Sequence, residues 1–292
     1  MAYQHNPGSS KKHHLVWAIE AVALILIVVV VAILVWKPKS QNVNPSTQPD
    51  NASTQQSTEK DEEPEVPEFD VKKLSSALNS WVKGHGGAYG VTIMDKSGDV
   101  LAESGGKEAF FTASIYKLYV AYIGYQKIDD GTYKSSETYL NGWSRGKCLE
   151  EMIRQSHSPC AERLWVELGK SNLTAKLETY GLKNTDMEGL VTSSRDAAII
   201  LARLESGKDL SESSRKKLLD SMHVQIYRDA LPEGFAEQEV YDKVGFRENV
   251  EYHDTAIVRF KDGRSLIVSV LTKNAGTSNI AGLAKVIAEA SN

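Results

Sequence analysis

The sequence predicts an α+β (mixed α/β) domain: an antiparallel sheet of about five strands flanked by helices, an all-helical subdomain, and a transmembrane helix ahead of both. Three observations carry this. Strand patterns stand at both ends of residues 69–292, with a long helical stretch between them. Within that stretch apolar residues recur at helical spacing. Near the start of the chain, one apolar run is long enough to cross a bilayer.

Residues 1–14 are polar and carry Lys11 and Lys12; the reading places them in the cytoplasm. Residues 15–36 are apolar apart from Glu20, with Trp17 and Trp36 near the two ends. As a helix they span about 33 Å, which matches a bilayer core, and the tryptophans suit its interfaces. A cleaved signal peptide is the rival reading, but no Ala-x-Ala-like site follows the run. Lysines flank the span on both sides, so they leave its orientation open. Residues 37–68 are rich in Gln, Asn, Ser, Thr, Pro and acidic residues. They bury too little apolar surface to fold and read as a disordered linker, with a typical reach of roughly 30 Å.

The remaining residues, 69–292, form one domain. A helix is predicted over 71–82, stopping at Gly84, and strands over 88–94 and 99–102. Lys96-Ser97-Gly98 lies between those strands as turn chemistry. Helices are predicted over 149–154, 161–168, 173–180, 197–204 and 210–222. Strands return at 240–244, 255–260 and 266–271, and a helix over 280–290 follows.

Composition excludes several functions. The net charge is −4, and no basic domain or aromatic-basic patch points to nucleic acid. Two cysteines make neither a disulfide scaffold nor a zinc site, and His85, His223 and His253 have no metal-ligand spacing. No metal, no cofactor and a monomeric state are expected.

The stretch Phe110-Phe111-Thr112-Ala113-Ser114-Ile115-Tyr116-Lys117 reads as a small-residue turn running into an apolar helix. Ser114 and Lys117 are three apart, so on a helix they share a face. A lysine in a dry site can be neutral and take a serine's proton. Other Ser-x-x-Lys spacings occur, among them at Ser80, Ser104, Ser144 and Ser213. Only Ser114 follows a predicted hairpin and opens a long apolar helix; the others fit serine caps better.

Two further elements follow in order. Ser156-His157-Ser158 lies between two predicted helices, and Lys243-Val244-Gly245-Phe246 lies on a late strand. With Ser114 and Lys117, these resemble the Ser-x-x-Lys, Ser-Asp-Asn and Lys-Thr-Gly elements of class A β-lactamases. Thr192-Ser193-Ser194-Arg195-Asp196 is similar to the threonine-rich start of a later helix in that family. The resemblance runs from about residue 70 onward and implies a β-lactamase/transpeptidase-like serine hydrolase domain. It implies Ser114 as nucleophile, Lys117 as its base, Ser156 as proton relay to the leaving nitrogen, and Lys243 as the electrostatic partner. The backbone N–H groups of Ser114 and Phe246 would form the oxyanion hole. The implied substrate is a β-lactam or a peptidoglycan peptide. The implied place is the cell membrane: one span, N-terminus inside, domain extracytoplasmic.

The departures are informative. His157 and Ser158 stand where the family has Asp and Asn. Val244 replaces a threonine whose hydroxyl binds the substrate carboxylate, a loss of about 1–3 kcal/mol if nothing replaces it. Arg247, just beyond the strand, is a candidate replacement alongside a plain surface role. The family's omega-loop glutamate has no counterpart in 181–190; Asp186 and Glu188 lack the motif. Slow deacylation is therefore expected. A catalytically degraded cell-wall binding or sensor domain is the alternative. Cys148 and Cys160 would lie about 18 Å apart on one helix. A break at residues 156–159 brings them within disulfide reach in an oxidising compartment, where the bond would brace the Ser156 loop. Two buried thiols are the alternative.

Overall fold

The computed structural model describes residues 67–292. The cytoplasmic segment (1–14), the membrane span (15–36) and all but the end of the linker (37–68) lie outside the described residues. Among the described residues, no helix is long and apolar enough to cross a membrane.

Five strands form one antiparallel sheet: β1 (Ala88–Asp95), β2 (Val100–Ser104), β7 (Glu239–Arg247), β8 (Glu251–Arg259) and β9 (Ser265–Lys273). Their order is β2-β1-β9-β8-β7. The two ends of the domain therefore meet at the centre, where β1 pairs with β9 through Val91↔Val270 and Ile93↔Val268. The three central strands are almost continuously buried because helices cover both faces. β7 is left as an edge, where an approaching chain can meet it.

Helix α1 (Val71–Gly84) starts where the Asp70 side chain accepts from the Lys73 N–H, and it buries Leu74 and Leu78. It packs with the last helix (Thr277–Ser291) over one sheet face, around Val91, Val268, Leu283 and Ile287.

The other face carries the helical subdomain. Its axis is α2 (Tyr116–Asp129), buried from Tyr116 to Tyr125. A helix apolar on every side can only be a core helix, and α3 (Arg145–Arg154), α4 (Ser158–Leu168) and α5 (Lys170–Glu178) contact it. Two ribbons not foreseen in the sequence lock this half together. β3 (Phe110–Phe111) pairs with β6 (Val191–Thr192), and β4 (Thr138–Leu140) with β5 (Trp143–Ser144). Strands of two or three residues carry almost no periodic signal. Next comes α6 (Ser194–Glu205), capped by Ser193. Its Asp196 accepts from the Thr185 hydroxyl at 2.7 Å and the Asn184 N–H at 2.7 Å. Then come α7 (Glu212–His223), the short α8 (Leu231–Gly234) and the closing helix, α9.

Lys96-Ser97-Gly98 is a turn: Asp95 accepts from the Ser97, Gly98 and Asp99 N–H groups, and Gly98 has φ +95°. Ser144 is an N-cap, accepting from the Lys147 N–H. Cys148 and Cys160 are disulfide-bonded, with Cα atoms 5.2 Å apart, so α3 and α4 are tied across the Ser156 loop.

Candidate active site

Three elements converge at one end of the sheet. The first is the 3-10 turn Ala113–Ile115, which carries Ser114 into α2. Ala113 has φ +44°, a left-handed conformation that costs a non-glycine residue about 1–2 kcal/mol. The turn is held from both sides: the Thr112 N–H donates to Leu190 O, and His253 contacts Phe111 O at 2.8 Å through Nε2. The second is the α3–α4 loop, where Ser156 has φ +56°. The third is β7. A Cβ on Gly245 would stand 2.9 Å from Ser114 N and 3.0 Å from Ile115 N. Only glycine lets the strand approach the Ser114 turn this closely.

Lys117 is 1% exposed and Lys243 fully buried. Lys117 Nζ reaches Ser156 O at 2.6 Å, Ser156 Oγ at 3.1 Å and Ser158 Oγ at 2.9 Å. Three acceptors match the three N–H bonds of an ammonium, so this is the arrangement of the protonated lysine. Loss of one proton would free a lone pair. Lys243 Nζ reaches Ser156 Oγ at 3.3 Å, Gln225 Oε1 at 3.2 Å and Val244 O at 2.6 Å. Ser156 Oγ thus accepts from both ammonium groups, and its own O–H proton stays free to be given away. Ser114 is half-buried, and among the described residues its Oγ has no hydrogen-bond partner.

Both lysines are easier to neutralise than usual. Burial lowers Lys117 to about 8, against the pull of the Glu162 carboxylate. Burial lowers Lys243 to about 7, helped by the Lys117 charge and opposed by Asp242 and Asp254. Those two acids project from the opposite face of the sheet. Asp242 takes Gln225 Nε2 and Arg228 Nη1, and burial, then Asp254, holds its carboxyl well above the usual range. Asp254 accepts from the Leu231 N–H and is pushed up to about 7 by burial.

The remaining predicted residues divide. Ser158 joins the site through Lys117. Val244 turns its side chain to the face opposite Lys243. Phe246 is 46% exposed at the strand end. Arg247 is clamped by Glu251, at 2.6 Å to each oxygen, with its guanidinium 5.0 Å from the Phe111 ring centre. His157 caps α4, Nδ1 accepting from the Cys160 N–H, and its ring lies on Trp143. Asp186 closes its own turn by accepting from the Glu188 and Gly189 N–H groups. Among the described residues, no group of three or more His, Cys, Asp or Glu side chains is placed to hold a metal.

Sequence reasoning missed two residues. Gln225 is buried and links Lys243 to Asp242. Nothing in its context signals this. Glu162 acts on Lys117 and lies four residues after Ser158 on α4. That i, i+4 spacing puts both on one helix face and was readable in advance.

Solved structures share this fold. The structure titled "Last common ancestor of Gram-negative bacteria (GNCA4) beta-lactamase class A" superposes with a TM-score of 0.69 at 23% identity, over 75% of this chain and 99% of that one. PBP-A superposes with a TM-score of 0.68 at 21% identity, over 77% of this chain and 98% of that one. A point mutant of PBP-A, titled as an acyl-enzyme complex with penicillin-G, gives 0.67 at 21%, over 75% and 96%. At these identities the likeness establishes the fold. No curated protein matches the sequence. A family profile described as "Beta-lactamase enzyme family" matches residues 73–292, most of the chain. The chain belongs to the β-lactamase enzyme family, a serine hydrolase-type fold.

Proposed function

We propose that the protein is a serine acyl-transfer enzyme acting through Ser114 on a β-lactam or a peptidoglycan-peptide amide, with slow deacylation. The observation that carries this is Ser156 Oγ held between two buried lysines beside the Ser114 turn. Ser114 Oγ attacks the carbonyl carbon and its proton passes to neutral Lys117 Nζ. The carbonyl oxygen becomes an oxyanion between the Ser114 and Phe246 N–H groups. The C–N bond breaks as the Ser156 hydroxyl gives its proton to the leaving nitrogen, and Ser156 regains a proton from Lys117. This leaves an ester on Ser114.

Slow deacylation is supported by Asp186 and Glu188, whose surroundings are those of a turn. The disulfide suits an extracytoplasmic domain, and the apolar run at 15–36 suits a membrane tether with the N-terminus inside. The second reading, a non-catalytic cell-wall binding or sensor domain, draws on the unpartnered Ser114 hydroxyl. Intact-protein mass spectrometry of the full chain in mild detergent with penicillin G separates the two. The expected result is a persistent adduct, absent from Ser114→Ala. No adduct and no drug consumed would leave the binding reading in front. Drug consumed without a lasting adduct would contradict slow deacylation.

A further inference from the structure

The end of β7 opens onto a cavity of about 240 Å³ that the reaction scheme does not use. Tyr227, Val244, Phe246 and Tyr252 line it. Phe246 stacks on Tyr252, 6.5 Å between ring centres, and Tyr227 meets Phe246 edge-on at 5.6 Å. Gly245, which also lines the cavity, is the residue that abuts the Ser114 backbone. The cavity therefore adjoins the nucleophile along one strand.

Its chemistry is unsuited to a carboxylate. Neither lysine nor arginine lines it. The three cations adjacent to lining residues in sequence are engaged elsewhere: Arg228 by Asp242, Lys243 by Ser156 and Gln225, and Arg247 by Glu251. Val244 offers no hydroxyl. His253 lines the cavity with both ring nitrogens engaged: Nδ1 accepts from the Thr272 N–H at 3.1 Å, so Nε2 carries the proton given to Phe111 O. That tautomer is neutral. Two carboxylates, Asp229 and Glu248, border the cavity and form no ion pair among the described residues. A third negative group entering here would be repelled and would find hydroxyl donors alone, from Tyr227, Tyr252 and Thr277, with no cation to neutralise it.

We propose that this cavity binds an uncharged apolar group of the substrate, an aryl or branched alkyl on the leaving-group side of the scissile bond, and that it discriminates against a carboxylate there. The proposal rests on Ser114 being the nucleophile. Aromatic walls suit such a group through area burial and ring contact.

The test uses three phenylacetylglycyl esters whose leaving phenol carries a 3-isopropyl, a 3-carboxylate or a 3-aminomethyl group. The full chain in mild detergent consumes them, and each kcat/KM is normalised to the ester's reactivity with hydroxide. The isopropyl ester is expected to lead the carboxylated one by about tenfold or more, and Phe246→Ala to shrink that ratio at least fivefold. A lead for the carboxylated or aminomethyl ester, or three values within twofold, overturns the proposal while leaving the nucleophile intact. If no ester reacts, the enzymatic reading fails, and binding to Ser114→Ala decides the cavity separately. In ligand-observed NMR, 3-isopropylphenol should bind and 3-hydroxybenzoate should not, with binding lost in Phe246→Ala. Equal binding of both, or of neither, overturns it.

Discussion

Two walls adjoin the Ser114 turn, and they differ in kind. The helical wall, Ser114, Lys117 and the Ser156 loop, is polar and strained. It contains two left-handed non-glycine residues and a buried lysine engaged by three oxygens. The sheet wall beyond Lys243 is apolar: Val244, Phe246 and Tyr252 present hydrocarbon where the family resemblance leads one to expect a hydroxyl. Groups that move protons must be held in costly places. Groups that recognise substrate have to match only its surface. The first wall can therefore stay fixed while the second changes.

Lys117→Met gives the largest effect. If Lys117 is the base, acylation falls by about 10²–10⁴-fold. The same change should leave the fold as stable or about 1 kcal/mol more stable, because a buried ammonium is replaced by a side chain of similar shape. Acylation kinetics and urea unfolding read the two. A loss of stability with activity unchanged would make Lys117 a structural lysine and erase the contrast between the walls.

The disulfide comes next. Cys148→Ser with Cys160→Ser removes the tie across the Ser156 loop and should cost about 2–3 kcal/mol. Urea midpoints of the oxidised, reduced and double-serine chains measure it. If the bond also positions Ser156, acylation falls several-fold at a temperature where the fold is intact. The sheet wall predicts no matching change in ester preference.

The pH dependence is smaller, of order tenfold. Lys117 acts as base only when neutral, so acylation should rise as pH passes through about 8, and Lys117→Met should lack that rise. Stability follows with a sign of its own. The folded-state values of about 8 and 7 lie below the ordinary lysine value, so between pH 7 and about 10.5 the unfolded chain holds more protons. Stability should therefore rise with pH in that window. Asp254, pushed up to about 7, acts below it, where stability falls as pH rises from about 4. Chemical denaturation at pH 7 and 9.5 checks the lysine sign.

The sequence was most readable where periodicity was strong. The strands of the central sheet and most helices were placed to within a few residues. The helix spacing of Ser114 and Lys117, read against turn and strand context, set one Ser-x-x-Lys apart from several, and the structure places that pair beside Ser156 and Lys243. What escaped was non-periodic. The ribbons at Phe110–Phe111 and Trp143–Ser144 are too short to show a pattern. Gln225 acts across a sequence gap that no local rule bridges. Val244 was seen to lack a hydroxyl, but the aromatic cavity arises because β7, β8 and the loop at Tyr227 meet in space. The membrane span lies outside the described residues.

Arg247 gives the smallest expected effect, and its smallness is informative. From the sequence it is a candidate to replace the lost threonine, since it lies just past Lys243-Val244-Gly245. In the structure its guanidinium is held by both Glu251 oxygens and lies over Phe111. A carboxylate would have to displace a bidentate partner already in place. Arg247→Gln should therefore change kcat/KM for the carboxylated and isopropyl esters alike, by less than about twofold, as rim charges do when their contacts are solvent-exposed. A selective loss of the carboxylated ester, tenfold or more, would mean that Arg247 leaves Glu251 when substrate arrives. The sheet wall would then be a carboxylate site after all, with its cation stored at the end of the same strand.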